Sequence, residues 1–419
     1  MPRHLSIDTP TRRPVTSLLR AAALLAIAGW VLPASAEFII TDRTVANGNP
    51  LAGNYNGQPM LVGVTSFTRT VRVPNLLVDV VDPAQFAYND QTGGGLEVWS
   101  NSVVRVLGGS FGQITANGFG GGLQLYDTSQ GSVSGGTLQL LNVNGAAAGA
   151  AGARATVSGG LIQNGVAGVA IVQNGVLEVT GGTVRANGGG FQSAIVGNPG
   201  SDIAVSGGLV QAVSGPAATI AADSRFSMTG GTLTGGPNGV GLGLRLENPT
   251  ITAALSGGTV NGGVRGTAGS STPALQATFS ASVAVNGGIF ALGNASFQVY
   301  GGSFTRYAGA DASFFTLGRN SIEFVGSGLM LSSPTAGSVF DPNGYSGNFY
   351  TFVSGTFRDG QSAVGLRLFD AVSVFGSTTG YGGGFTLTNM APVPEPGTAP
   401  MMLLALAGLG WAVQRRARV

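Results

Sequence analysis

From Val106 to Met330 the chain repeats one short pattern of apolar and polar positions around a pair of glycines. It reads "VLGGSF" at 106–111, "VSGGTL" at 133–138, "VSGGLI" at 157–162, "VTGGTV" at 179–184 and "VSGGLV" at 205–210. It continues as "MTGGTL" at 228–233, "LSGGTV" at 255–260, "VNGGIF" at 285–290 and "VYGGSF" at 299–304, with a degenerate "FVGSGLM" at 324–330. The first glycines are separated by steps of 27, 24, 22, 26, 23, 27, 30, 14 and 25 residues. Periods in this range mark a stacked repeat. The residue two before the first glycine is apolar in every copy, from Val106 to Phe324, and so is the residue three after it, from Phe111 to Leu329. Leu177, Ile203, Phe226 and Ile322 add a second apolar position two residues earlier. Alternation of period two predicts strands.

The unit is too short for a helical hairpin, and the Leu and Asn spacing of a leucine-rich repeat is absent. One coil of a parallel β-helix fits. The stretch "AIVQNGVLEVTGGTVRANGGG" at 170–190 offers three short strands broken at Asn174-Gly175, Gly181-Gly182 and Gly188-Gly189. The expected fold is therefore all-β, a right-handed parallel β-helix whose apolar columns fill a continuous interior by stacking. Val179 is expected to face inward and Thr180 outward. The 14-residue step is too short for a coil, so Gly287 and Gly301 read as two corners of one irregular turn. The repeats span 91–330. Residues 37–90 are read as an N-terminal cap and 331–391 as a C-terminal β cap over the open end of the coil stack.

Composition narrows the chemistry. All 20 basic residues are Arg, there is no Cys, and the one histidine is His4. Between Glu37 and Pro392 stand 13 Arg against 16 Asp plus Glu, a net charge of −3. A mildly acidic body has no electrostatic reason to bind nucleic acid. Gly contributes 72 of 419 residues without a Gly-X-Y period, which excludes collagen.

Both ends read as addresses. Arg3, Arg12, Arg13 and Arg20 precede the apolar run Ala21–Leu32 and the small-x-small site Ala34-Ser35-Ala36, so residues 1–36 are expected to be a cleaved signal peptide. Arg12-Arg13 invites a twin-arginine reading, but Pro14 stands where that signal differs. At the other end, Thr398–Val413 is an apolar run matching a short membrane helix, with Arg415, Arg416 and Arg418 expected on the cytoplasmic side. Pro394-Glu395-Pro396, this run and the terminal arginines together resemble the PEP-CTERM sorting signal of Gram-negative bacteria, over 392–419. That resemblance implies a partner, the exosortase, a membrane cysteine enzyme that processes the tail. It also implies passage through the inner membrane and delivery to the cell surface or the exopolysaccharide matrix.

The body offers little for catalysis. Removal of the signal leaves no His, Cys or Lys. Acid–base work would fall to Asp, Glu, Tyr or Arg. The coil-borne candidates are Asp202 and Arg225, at the same offset before successive glycine pairs and therefore one ladder step apart. A surface ion pair is the plainer account of them. Asp79, Asp82 and Asp90 cluster beside Pro83 and Asn89, in a setting of turn chemistry. No metal site and no cofactor is expected. The leading expectation is a non-enzymatic structural, adhesive or glycan-binding protein of the surface or matrix, with polar ladders of Ser, Thr, Asn and Gln. The alternative is a polysaccharide lyase or hydrolase on the same scaffold.

Overall fold

The computed structural model describes residues 38–40, 50–55, 60–64, 71–88, 95–113, 122–146, 152–164, 169–188, 192–236, 242–247, 250–268, 275–306, 313–318, 321–333, 335–340, 346–371 and 384–390. Strands are the regular structure of these residues, and they stack into a parallel β-solenoid with three faces. The coil read from the sequence forms the strands Ala170–Gln173, Val176–Val179 and Thr183–Ala186. Each belongs to a different face, here numbered one to three in that order. Each of these three strands pairs in parallel with its equivalents one coil before and after. Val157, Val179 and Val205 are consecutive partners on face two, as are Ile162, Val184 and Val210 on face three. Face one aligns Leu141, Ala170 and Ile195. The parallel ladder already includes Phe38–Ile40, Met60–Val62, Leu77–Val80 and Gln85–Tyr88.

The glycine pairs form the corner between faces two and three, and the preceding coil approaches both members closely. Gly182 has φ of 70°, a left-handed conformation that side chains disfavour, and a β-carbon there would also overlap the Gly159 carbonyl. Gly181 has no such φ but lies so close to the preceding coil that a β-carbon would overlap the Ser158 carbonyl oxygen. The residue ahead of the pair is exposed and hydroxylated in most coils. Ser134, Ser158 and Thr180 donate to the carbonyls of Val106, Val133 and Val157, at 3.4–3.5 Å. The corner between faces one and two is turned by left-handed Asn75, Asn101, Asp127, Asn174 and Asp223. These residue types tolerate that conformation best after glycine.

The interior is apolar along its length, and Val179 is fully buried while Thr180 is exposed, as alternation requires. Small residues such as Ala155, Ala170 and Ala186 fill the middle coils, whereas aromatic rings fill both ends. Tyr55, Phe86 and Phe111 stack on successive coils, at 5.0 and 4.5 Å between centroids. Phe279, Phe304, Phe314 and Phe324 pack edge-on or tilted near the other end.

The short step is explained by one coil that lacks its glycine corner. Ser282 takes the place of Gly257 and Val283 that of Gly258, inside the long strand Leu275–Asn286. Gly287 stands at the corner leading to face one and Gly301 at the next glycine corner, with Ile289–Gly293 and Ala295–Val299 between them. Val285 therefore belongs to the face-three column of Val260 and Phe304 rather than to the column of Val179. Beyond this coil, Ser346–Phe357 runs antiparallel to Ser321–Leu331 and to Leu366–Ala371, and it buries Val353 and Phe357. Phe385–Asn389 adds a last parallel rung to face two.

Candidate functional site

Face three presents two outward columns along the solenoid. One runs through Gln163, Arg185, Gln211, Thr234, Asn261, Asn286 and Thr305. The other, two residues earlier, runs through Thr137, Leu161, Thr183, Leu209, Thr232, Thr259, Ala284 and Ser303. All of these side chains are half-buried or exposed. Their columns repeat about every 4.8 Å, the strand spacing. Asn261 Nδ2 donates to Thr234 Oγ1 at 3.2 Å, and Asn286 Nδ2 donates to Asn261 Oδ1 at 3.0 Å. Thr305 Oγ1 donates to Asn286 Oδ1 at 3.3 Å. A carboxamide has more donors and acceptors than one such bond uses, so the ladder keeps hydrogen-bonding capacity for a ligand. No Asp or Glu stands in either column.

Carboxylates lie on the other faces. Asp202 and Arg225 are register partners on face two. Asp202 is half-buried and Arg225 exposed, and among the described residues no salt bridge joins them. Among the described residues, the face-two ion pair that does form is Asp79 with Arg105, one coil apart and bidentate at 2.6 Å through Nε and Nη2. Bonding to Asp79 holds the exposed Arg105 guanidinium above its ordinary pKa. Asp82 does turn work, its Oδ1 accepting from Gly109 N at 2.7 Å. Asp90 lies outside the described residues.

Face one carries a cluster that the glycine pattern does not reveal. Trp99 and Tyr126 stack one coil apart, 4.1 Å between centroids and 12° between planes. The Arg72 guanidinium lies 4.5 Å from the Trp99 centroid and pairs with Asp127 at 3.2 Å. Trp99 Nε1 donates to buried Glu97 at 3.2 Å. These contacts pin the 71–72 segment against the coils. The sequence signal was a separation of 27 residues between Trp99 and Tyr126, equal to the step between Gly108 and Gly135.

Among the described residues no three His, Cys, Asp or Glu side chains converge to hold a metal, and no helix is long and apolar enough to cross a membrane. Ala34, Ala36, Pro394, Glu395, Pro396, Arg415, Arg416, Arg418 and the apolar run 398–413 lie outside the described residues.

Comparison with known proteins identifies the tail. Residues 392–416 match the PEP-CTERM protein-sorting motif, so the chain carries the sorting signal that its last residues resemble. That signal implies export and sorting to the cell envelope by an exosortase-type enzyme. No curated protein and no solved structure matches the chain.

Proposed function

We propose that the exported solenoid is a non-catalytic, glycan-binding element of the cell surface or exopolysaccharide matrix, and that face three is its binding surface. The observation that carries this reading is the unbroken polar column from Gln163 to Thr305. A coil spacing comparable to the length of one sugar residue lets successive rungs meet successive sugars of an extended chain. Individual amide and hydroxyl bonds are weak in water, so binding is the sum over several rungs. In this reading the apolar run 398–413 holds the precursor in the inner membrane before the exosortase-type enzyme processes it.

The test is retention of the processed protein on exopolysaccharide, comparing wild type with a Gln211→Ala, Asn261→Ala, Asn286→Ala triple variant. The proposal expects the variant to lose retention while keeping its fold, with no polysaccharide degraded by either protein. Equal retention would remove face three from the account. Turnover abolished by Asp202→Asn, but not by a control at an unrelated surface acid, would establish the lyase or hydrolase reading instead.

A further inference from the structure

The polar column of face three has one charged member, and its surroundings are built symmetrically. Arg185 has Gln163 as its register partner on the coil before and Gln211 on the coil after. In the companion column Thr183 stands between Leu161 and Leu209 in the same way. A guanidinium thus lies between two carboxamides, with an apolar side chain diagonally on each side.

This arginine lacks the counter-charge that three other arginines have. Arg105 has Asp79, Arg72 has Asp127 and Arg245 has Glu247. The Arg185 side chain has no ion-pair or hydrogen-bond partner among the described residues, and its Nε is shielded from solvent without one. A half-buried cation without a counter-charge is unfavourable for the folded state, so packing alone gives no reason for it. Among the described residues no acid stands in the face-three strands: Asp79, Glu178, Asp202 and Glu323 are on face two, Glu97 and Glu247 on face one. Against a body whose net charge is −3, face three is locally positive.

We infer that Arg185 is the specificity centre of face three and selects a carboxylated, uronate-type polysaccharide. This rests on the glycan-binding reading above and names its ligand class. The planar guanidinium takes a sugar carboxylate through paired N–H···O bonds. Gln163 and Gln211 donate to and accept from hydroxyls of the same or flanking sugars. Leu161 and Leu209 offer apolar surface to the C–H faces of the rings. The glycan chain runs along the solenoid axis, so one uronate meets Arg185 and its neighbours lie over the adjoining coils.

The processed protein is tested on immobilised polygalacturonate, on its fully methyl-esterified form and on dextran sulfate. Wild type is expected to bind the acid form roughly tenfold more tightly than the ester, the size of one hydrogen-bonded charge contact. Arg185→Gln should abolish that difference with an unchanged or raised melting temperature, since an unpaired cation is removed. Arg185→Lys should retain part of it. Equal binding of acid and ester, or wild-type selectivity in Arg185→Gln, overturns the site while leaving face three as a neutral glycan surface. Dextran sulfate binding as tightly as polygalacturonate overturns the carboxylate assignment. Failure of wild type to bind any polysaccharide, with intact circular dichroism, overturns both this inference and the reading beneath it.

Discussion

Asn389 holds Leu329 by both of its backbone groups. Its Oδ1 accepts from Leu329 N at 2.7 Å, and its Nδ2 donates to Leu329 O at 3.0 Å. The side-chain amide thus substitutes for a strand partner at the end of the last parallel rung, where Phe385 and Leu387 are only partly buried. Asn389→Ala removes two bonds worth about 1 kcal/mol each at most. Hydrogen exchange of 385–389 is expected to quicken by roughly tenfold, with the central coils unaffected because each coil contacts only its neighbours. Unchanged exchange in that strand would show that the pin does not hold it.

The glycine pair predicts a graded series. Gly182→Ala places a side chain at φ of 70° and its β-carbon 2.6 Å from the Gly159 carbonyl oxygen, so strain and overlap add and it should destabilise by about 2–4 kcal/mol. Gly181→Ala forces a β-carbon onto the Ser158 carbonyl, a backbone group that cannot swing aside, for about 1–3 kcal/mol. Gly112→Ala is the control, since its nearest neighbour would be Gln139 Nε2 at 3.8 Å. It should stay within about 0.5 kcal/mol of wild type. Denaturant midpoints measure all three, and equal values would remove the close approach from the account.

Much of this was legible in the sequence because corners and columns recur. Gly181-Gly182 and the alternation through Leu177 and Val179 gave the coil, its strands and its inward positions. The coil at 275–305 was harder, because Ser282 and Val283 replace the glycines while Gly287-Gly288 sits at a different corner. Glycines mark tight bends but do not say which bend. The shared offset of Asp202 and Arg225 predicts the register they have, yet adjacency on a ladder does not dictate that two side chains meet. The Arg72–Trp99–Tyr126 cluster escaped because face one lacks a glycine signature, leaving only the 27-residue spacing of two aromatic rings. Arg185 was hidden among face-three positions that look interchangeable until their register is known.

Burial pushes the Tyr55 phenol above its ordinary pKa, opposed by a backbone hydrogen bond at Gly53. A phenol whose folded pKa is raised contributes stability that is complete below the unfolded value, about 10, and is lost as pH climbs through the folded one. The protein should therefore lose stability at alkaline pH beyond that point, starting at the N-terminal coils where Tyr55 stacks on Phe86. Tyr55→Phe keeps the ring and should flatten the alkaline loss. An ultraviolet titration in which all tyrosines ionise together would contradict the burial.

The sorting signal makes its own prediction. Replacing Pro394, Glu395 and Pro396 with alanines leaves the apolar run and the terminal arginines intact, which is all that a simple anchor needs. Membrane fractionation of a host with the sorting enzyme should show unprocessed precursor retained in the inner membrane. Normal processing of that variant would show that the three residues are not read.

The central claim is that face three is where the solenoid meets glycan, and hydroxyl-radical footprinting of the polysaccharide-bound protein tests it most directly. Leu161 and Leu209 report on face three, while Leu77 and Val103, also outward and half-buried, report on face two. The account predicts that bound polysaccharide shields Leu161 and Leu209 and leaves Leu77 and Val103 labelled as in the free protein. Shielding of the face-two pair with face three still open to label would contradict it.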